Sequence, residues 1–547
     1  MTDNERTPLV PKIGVSAAVT ITKLDFALIL PALLGNNFLA AFESTIAAST
    51  QSAVGTSFNA STNAAWVATS YLIVSTAVQP LYGRASDLFG RTRLYVFSLT
   101  FFALGCLGCG MSRSLAQMVV ARAICGIGGG GLITVSQVCA WDILPMKSRP
   151  LYQAVNNVTY GLGAAVGASL GGLLSDSIGW RFAYLFPVPL SFFSILVFLY
   201  RARPKLVALK AGNRSDLRMA DIDISGCALL MSAITLFMIV INLGGGEIPW
   251  SSPVIPLLLV CATLATIVFY RHERNVALPV LPVSLVKSRH MISQVGLNLF
   301  GAMTIFGVLY LIPVYFQTTL LTSASIASRR LLYPTLTAPI GSVLTGLFLH
   351  RHRDKCHLAQ RIGAVVLFGG AMLMFLLTFE DNHGRGEWWF VSRLIWVHAG
   401  MGILFISSLI DILNSSGTEH AAATSLIFLL RSLGTVLGIS GSQAVLQNVL
   451  YHQLSRHISG DNAPQIIRGI RESVIFLHQL EPTVRQVAVG CYVRSMRAAF
   501  GALAGVAGCI VLSAALGIGA RSGENSVDDE DEDPTEPPFS EGIPVLD

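Results

Sequence analysis

The chain is a succession of long apolar runs separated by short polar ones. Fourteen runs stand out, near residues 26–50, 64–82, 94–111, 115–139, 151–174, 181–200, 223–243, 253–270, 291–316, 327–349, 361–379, 389–411, 421–446 and 487–518. Most approach the ~20 residues that an α-helix needs to cross a bilayer. Backbone polar groups in lipid must be satisfied within a helix or a closed barrel. Runs of this length select helices over the ten-residue alternating strands of a barrel. The pattern therefore predicts an all-α polytopic membrane protein with 14 spans.

Charge adds orientation. Arg84, Arg91 and Arg93 follow the second run, Lys147 and Arg149 the fourth, and Arg201, Arg203, Lys205 and Lys210 the sixth. Arg271, Arg274, Lys287 and Arg289 follow the eighth, and Arg351, Arg353 and Lys355 the tenth. The opposite loops are nearly free of Lys and Arg until Arg329 and Arg330. The positive-inside rule then places both termini in the cytoplasm. The expected organisation is a cytoplasmic tail (1–25), an N-terminal six-helix bundle (26–200) and a cytoplasmic linker (201–222). Two inserted spans (223–270), a C-terminal six-helix bundle (291–518) and an acidic disordered tail (519–547) follow. The stretch from Ile466 to Leu480 alternates apolar and charged residues at near-helical spacing and reads as an interfacial amphipathic helix.

Composition agrees with the pattern. Hydrophobic residues make up 52% and charged residues only 12%, with a mean hydropathy of +0.61. The net charge of +6 resides in loops, where it reports topology and gives no reason to expect nucleic acid. Most of the nine cysteines lie in apolar runs, where cysteine is a small packing residue. Cys106 and Cys109 have CxxC spacing, but no histidine or carboxylate is near them in sequence, so no metal or redox site is expected. No cleavable signal peptide is visible, and the first apolar run can remain as an anchor. Asn59-Ala-Ser61 is a glycosylation sequon close to the membrane. No phosphate loop, metal-ligand cluster or nucleophile elbow appears, so an enzyme is not expected, and no cofactor is implied.

Four features carry candidate chemistry. Gly83 to Leu94 is a basic, glycine-punctuated stretch between the second and third runs, with Asp87 among Arg84, Arg91 and Arg93. Arg122 lies within the fourth run, followed by Gly126 and the glycines from Gly128 to Gly131. An intramembrane arginine is costly and by default a functional candidate. Gly163, Gly167, Gly171 and Gly172 put small residues on one stripe of the fifth run, which permits close helix packing. Glu43 lies in the first run, on the same stripe as Asn36, Ala40 and Ala47. A carboxylate at that depth must be paired, protonated or wetted. It can exchange a proton for a cation, or form a structural ion pair with Arg122 or Arg431. Asp142, Asp176 and Asp411 fall at span ends, near water, and are weaker candidates for a deep site. Asn156, Gln294, Asn298, Tyr310, Tyr315, His398 and Arg431 are further polar residues that can line a cavity or join helices.

These motifs resemble those of the major facilitator superfamily. The stretch from Gly83 to Leu94 is similar to its loop between spans 2 and 3, and Arg122 with its glycines to its span 4 motif. The glycines from Gly163 to Gly172 resemble the span 5 motif of proton antiporters, without that motif's proline. Phe38 to Ala47 is similar to the opening of the fourteen-span drug:proton antiporters, with Glu43 where aspartate is usual. Asp142 to Gln153, together with Ile178-Gly-Trp180-Arg181 and Arg431-Ser-Leu-Gly434, resembles the fungal vacuolar basic amino acid transporters. The resemblance implies a major facilitator fold and a conformational latch built from Gly83, Asp87, Gly90, Arg91, Asp142 and Arg149. It also implies proton and substrate coupling through Glu43 and Arg122.

The expected function is proton-coupled antiport of basic amino acids from cytosol to vacuole. The expected partners are a small cationic amino acid or drug, protons and the lipid bilayer, with the chain acting as a monomer driven by the proton gradient. Glu5 to Val10 resembles an acidic dileucine sorting signal for vacuolar or lysosomal membranes. Two other readings are a multidrug or toxin efflux antiporter at the plasma membrane and a nutrient sensor that binds ligand without net transport.

Overall fold

A computed structural model describes residues 23–58, 66–144, 148–202, 223–243, 252–276, 288–322, 330, 334, 337–352, 355–380, 385–415, 420–459, 462–472 and 474–517. The sorting-signal stretch, the Asn59 sequon, residues 203–222 of the linker and the acidic tail lie outside those residues. Every regular element among the described residues is helical.

The first set of helices is α1 (Lys23–Ser57), α2 (Trp66–Phe89), α3 (Arg91–Met111), α4 (Leu115–Ile143) and α5 (Arg149–Ser177), completed by α6 (Trp180–Leu185) and α7 (Pro187–Val197). A π-helical turn, Phe198–Ala202, closes it. Next come α8 (Ile224–Leu243) and α9 (Val254–Glu273). The second set is α10 (Arg289–Thr318), α11 (Thr337–Arg351), α12 (Cys356–Leu377), α13 (Glu387–Ser415) and α14 (His420–His457). It continues with two short helices, α15 (Ala463–Glu472) and α16 (Val474–Gln479), and ends in α17 (Pro482–Leu516). Nine helices of the described residues are long and apolar enough to cross a membrane by length and composition.

Local signals explain several ends. The Ser114 and Ser288 hydroxyls accept from the backbone N–H groups of Gln117 and Met291, capping α4 and α10. Gly90 opens α3 at φ +88°, a conformation costly for any side chain. Proline stands in the first turn of α5 and α17, where its missing N–H costs nothing.

The two sets repeat one packing scheme. α1 lies along α5 as α10 lies along α14, while α2 and α3 flank α4 as α11 and α12 flank α13. The sets meet through α2 against α14 and α5 against α11. α8 covers the α2–α14 seam, where its Leu230, Ile234 and Met238 pack with Ile73, Ala77 and Val436. α9 leaves Leu257, Val260 and Leu264 exposed, as a lipid-facing helix must.

Two expectations change. The described part of Ile466 to Leu480 forms the end of α15 and all of α16, but its buried apolar residues do not lie free for a membrane surface. Ile470 and Leu477 are buried against Leu450 and Leu454 of α14 and Tyr492 of α17. Those two long helices project past the predicted span ends, and their extra turns give the segment a protein surface to cover. Asp411 is the second correction: it is fully buried, because α10 and α12 close over the end of α13.

Candidate functional site

Glu43 and Arg122 meet inside the first set. Arg122 Nη1 donates to Glu43 Oε1, and Arg122 Nε donates to the Val67 carbonyl at 2.7 Å. Both side chains are buried. The guanidinium lies over the Tyr71 ring at 4.5 Å and faces Tyr184 at 5.8 Å. An unpaired charge here would cost several kcal/mol, and the pair with its aromatic walls offsets that penalty. Glu43 Oε2 is buried with no hydrogen-bond partner among the described residues. The pair selects one of the arrangements the sequence left open, with Arg122 as partner. In this conformation Glu43 is sealed from solvent rather than lining an open cavity.

Close helix approach makes the pair possible. A Cβ added at Gly163 would strike the Phe38 carbonyl, and one at Gly167 would strike the Phe42 carbonyl and the Thr45 hydroxyl. Gly171 stands equally close to Ser49, and Gly172 continues the same helix. α5 therefore presses α1 inward, carrying Glu43 toward α4. Cys106 faces Cys125 of α4 with sulfurs 3.6 Å apart, so the CxxC spacing is incidental.

An amide network runs beside the pair. Asn36 donates to Ser136 at 2.9 Å and accepts from Ser194 at 3.1 Å. Asn37 donates to Asn156, and Asn156 to Gln137 at 3.4 Å. Gln137 donates to Gln153 at 2.8 Å, and Gln153 to Asn157 at 3.2 Å. Asn157 then donates to Ser342 of α11 at 3.2 Å, so the network crosses between the sets. A second crossing joins Ser432 of α14 to Gln79 of α2 at 3.1 Å. Buried amides left unpaired are costly, and such networks fix helix register.

The second set has its own polar line. Arg431 donates to Asn298 Oδ1 at 2.8 Å and to the Phe405 carbonyl at 2.6 Å, with its guanidinium 4.2 Å from the Phe405 ring centroid. Asn298 donates to Ser408 at 2.6 Å, Ser408 to Gln294 at 2.7 Å, and Gln294 to Asp411 at 2.7 Å. Tyr310 is half-buried and packs on the core of this set, and Tyr315 lies within that core. His398 is buried and bonds only its own helix, through the Leu394 carbonyl, among the contacts described.

At the Arg/Lys-rich end Arg91 Nε donates to Asp142 at 2.7 Å, and Arg91 Nη1 donates to Ser86. Arg149 donates to the Trp141 carbonyl at 2.9 Å and lies 5.4 Å from the Trp141 ring centroid. Gly83 accepts from Ser86 at 2.7 Å. Asp87 occupies the last turn of α2, and its side chain lies outside the described part. Trp141, only 1% exposed, crosses to the second set and packs among Met291, Leu409, Ile412, Leu413 and Ile427. Among the described residues, this cluster shuts the two sets together at this end.

Sequence reasoning had not singled out Trp141, Gln79, Ser432, Asn37, Ser408, Gln360, His290 or His357. The tandem Asn36-Asn37 was a usable signal. The others become visible only when distant helices are brought together.

Two helix sets with repeated packing, joined in part by buried polar contacts, are an architecture suited to a membrane transporter. A sequence profile of the Major Facilitator Superfamily matches residues 33–439, and the chain belongs to that superfamily. It is 35% identical over 482 residues to "Multidrug resistance protein fnx1" of Schizosaccharomyces pombe, covering 88% of this chain and 90% of that one. It is 34% identical over 392 residues to "Vacuolar basic amino acid transporter 2" of Saccharomyces cerevisiae, covering 70% and 81%. Among solved structures the proton:xylose symporter XylE matches with TM-score 0.54 at 15% identity, covering 87% and 95%, a likeness of fold. The protein is a transporter and not an enzyme.

Proposed function

We propose that this transporter is a proton-coupled antiporter carrying basic amino acids from cytosol to vacuole by alternating access, with the two helix sets as its moving units and fourteen spans in all. The observation that carries the reading is the buried Glu43–Arg122 pair. Deprotonated, the pair is neutral. A proton on Glu43 leaves an uncompensated positive charge beside the route, which disfavours a bound cation. Proton and cationic substrate then exclude one another, the thermodynamic requirement for exchange. The described neighbours of the pair all belong to the first set. Glu43 would therefore reach water only when helices of that set part during the cycle, which would couple protonation to conformational change. Asp87, Arg91, Asp142 and Arg149 would act as the latch that biases the shut Arg/Lys-rich end, taken as cytoplasmic. The name of the yeast vacuolar relative supports the substrate class and membrane.

The test is uptake of labelled lysine into proteoliposomes with an imposed pH difference. Uptake should need the gradient and collapse with a protonophore. Gradient-independent flux, or no lysine flux at all, would overturn the reading. A second reading, drug efflux at the plasma membrane, is favoured by the name of the fission-yeast relative. A fluorescent tag separates the two: rim signal on the vacuole supports amino acid storage, and cell-surface signal supports efflux.

A further inference from the structure

We propose that His290, His357 and Asp411 form a binding site for a divalent transition-metal ion at the Arg/Lys-rich end of the second helix set. The three residues come from three helices. His290 sits in the first turn of α10, whose start is held by the Ser288 cap, His357 in the first turn of α12, and Asp411 near the end of α13. His290 Nε2 lies 2.7 Å and His357 Nδ1 lies 3.8 Å from Asp411 Oδ2. One ligand atom from each residue falls within 4.8 Å of both others. A tetrahedral ion with bonds of about 2.0–2.1 Å holds its ligands roughly 3.4 Å apart. The cluster brackets that spacing, so side-chain rotations alone would close it.

The surroundings favour a cation. Asp411 is 0% exposed, and its Oδ1 is buried with no hydrogen-bond partner among the described residues. Its Oδ2 accepts from Gln294 at 2.7 Å and from Gln360 at 3.1 Å, which fixes the carboxylate plane as outer-shell amides do around metals. The two imidazoles keep a path to water, at 14% and 22% side-chain exposure, and their rings stand nearly perpendicular, at 88°. Two nitrogens and one oxygen suit a zinc-like ion and leave a position for water. The other close cluster, Glu43 with Cys106 and Cys125, already holds the positive charge of Arg122 and carries no such inference. In the first set the corresponding carboxylate, Asp142, is held by Arg91, which supplies charge but cannot ligate. A metal at Asp411 would tie α10, α12 and α13 together where, among the described residues, histidines rather than an arginine face the carboxylate.

The experiment uses full-length protein in detergent, stripped with chelator and titrated with Co2+ while its d–d absorption is followed, with Zn2+ calorimetry in parallel. One equivalent should bind, and Zn2+ should displace Co2+. His357→Ala and His290→Ala should each weaken binding more than about tenfold, since even outer-shell changes cost that much. A His452→Ala/His457→Ala protein, altered at surface histidines, should bind as the wild type does. Absence of saturable binding, or equal affinity in His357→Ala, would overturn the site. Both histidine variants lie at partly exposed positions, so the answer does not hinge on whether Asp411→Asn folds. Neither readout involves transport, so the result is independent of the antiport proposal.

Discussion

Asp142 and Asp411 stand near the ends of the fourth helices of two sets that repeat one another's packing, yet they are satisfied differently. Asp142 takes Arg91 at 2.7 Å, whereas Asp411 takes His290 at 2.7 Å and the amides of Gln294 and Gln360. The first carboxylate keeps some exposure, and the second has none. One architecture thus holds a permanent ion pair in one half and an imidazole–amide cage in the other.

Removing one partner of a buried ion pair costs more than removing both. Glu43→Gln leaves Arg122 charged in an apolar interior and is expected to cost about 3–5 kcal/mol. Glu43→Gln combined with Arg122→Gln should recover most of that stability, since no lone charge remains. Thermal unfolding of the three purified variants gives the coupling directly. Lysine flux should stay lost in the double variant. Recovery of gradient-driven flux there would reduce the pair to a structural role.

Trp141 plugs the Arg/Lys-rich end. Trp141→Ala removes a buried side chain whose loss in cores costs about 3–5 kcal/mol, and the share made with the second set is lost from the shut state alone. The population should shift toward opening at that end. A cysteine placed at Ile427, buried in the same cluster, should then react with a thiol reagent at least about tenfold faster, the equivalent of ~1.4 kcal/mol. Unchanged labelling would mean that the tryptophan does not hold the end closed.

The α1–α5 approach predicts a steep size dependence. Gly167→Ala drives a methyl into the Phe42 carbonyl and the Thr45 hydroxyl, and overpacking of this kind costs about 1–3 kcal/mol. Gly161→Ala would meet only Pro339 Cγ at 3.7 Å, an ordinary contact, and should be neutral. Melting temperatures of the two variants should separate clearly, with the loss confined to Gly167.

Arg431→Lys keeps the charge but loses the fork that reaches both Asn298 and the Phe405 carbonyl. Substrate half-saturation should rise several-fold with the folded yield unchanged, as expected when a positioning group is replaced. Equal kinetics would show that only the charge at this position matters.

Much of the protein was legible in the chain itself. Helices and their order follow from run length, because a lipid environment forces every backbone bond to close locally. The transporter class followed instead from the resemblance of the motifs around Glu43, Gly83 to Leu94 and Arg122. The small-residue stripe of α5 was equally legible, since period and residue size depend on one helix alone. Partnerships were not. Arg122 rather than Arg431 pairs with Glu43 because α4 and not α14 packs beside α1 at that depth. Asp411 looked like a wetted helix end until two other helices closed over it. The amphipathic pattern of Ile466 to Leu480 announced an apolar face but not its partner, which is this chain's own α14 and α17. Sequence determines what each segment must bury, whereas which side chain satisfies a buried charge depends on helices that are distant in the chain. That choice is made only by tertiary packing.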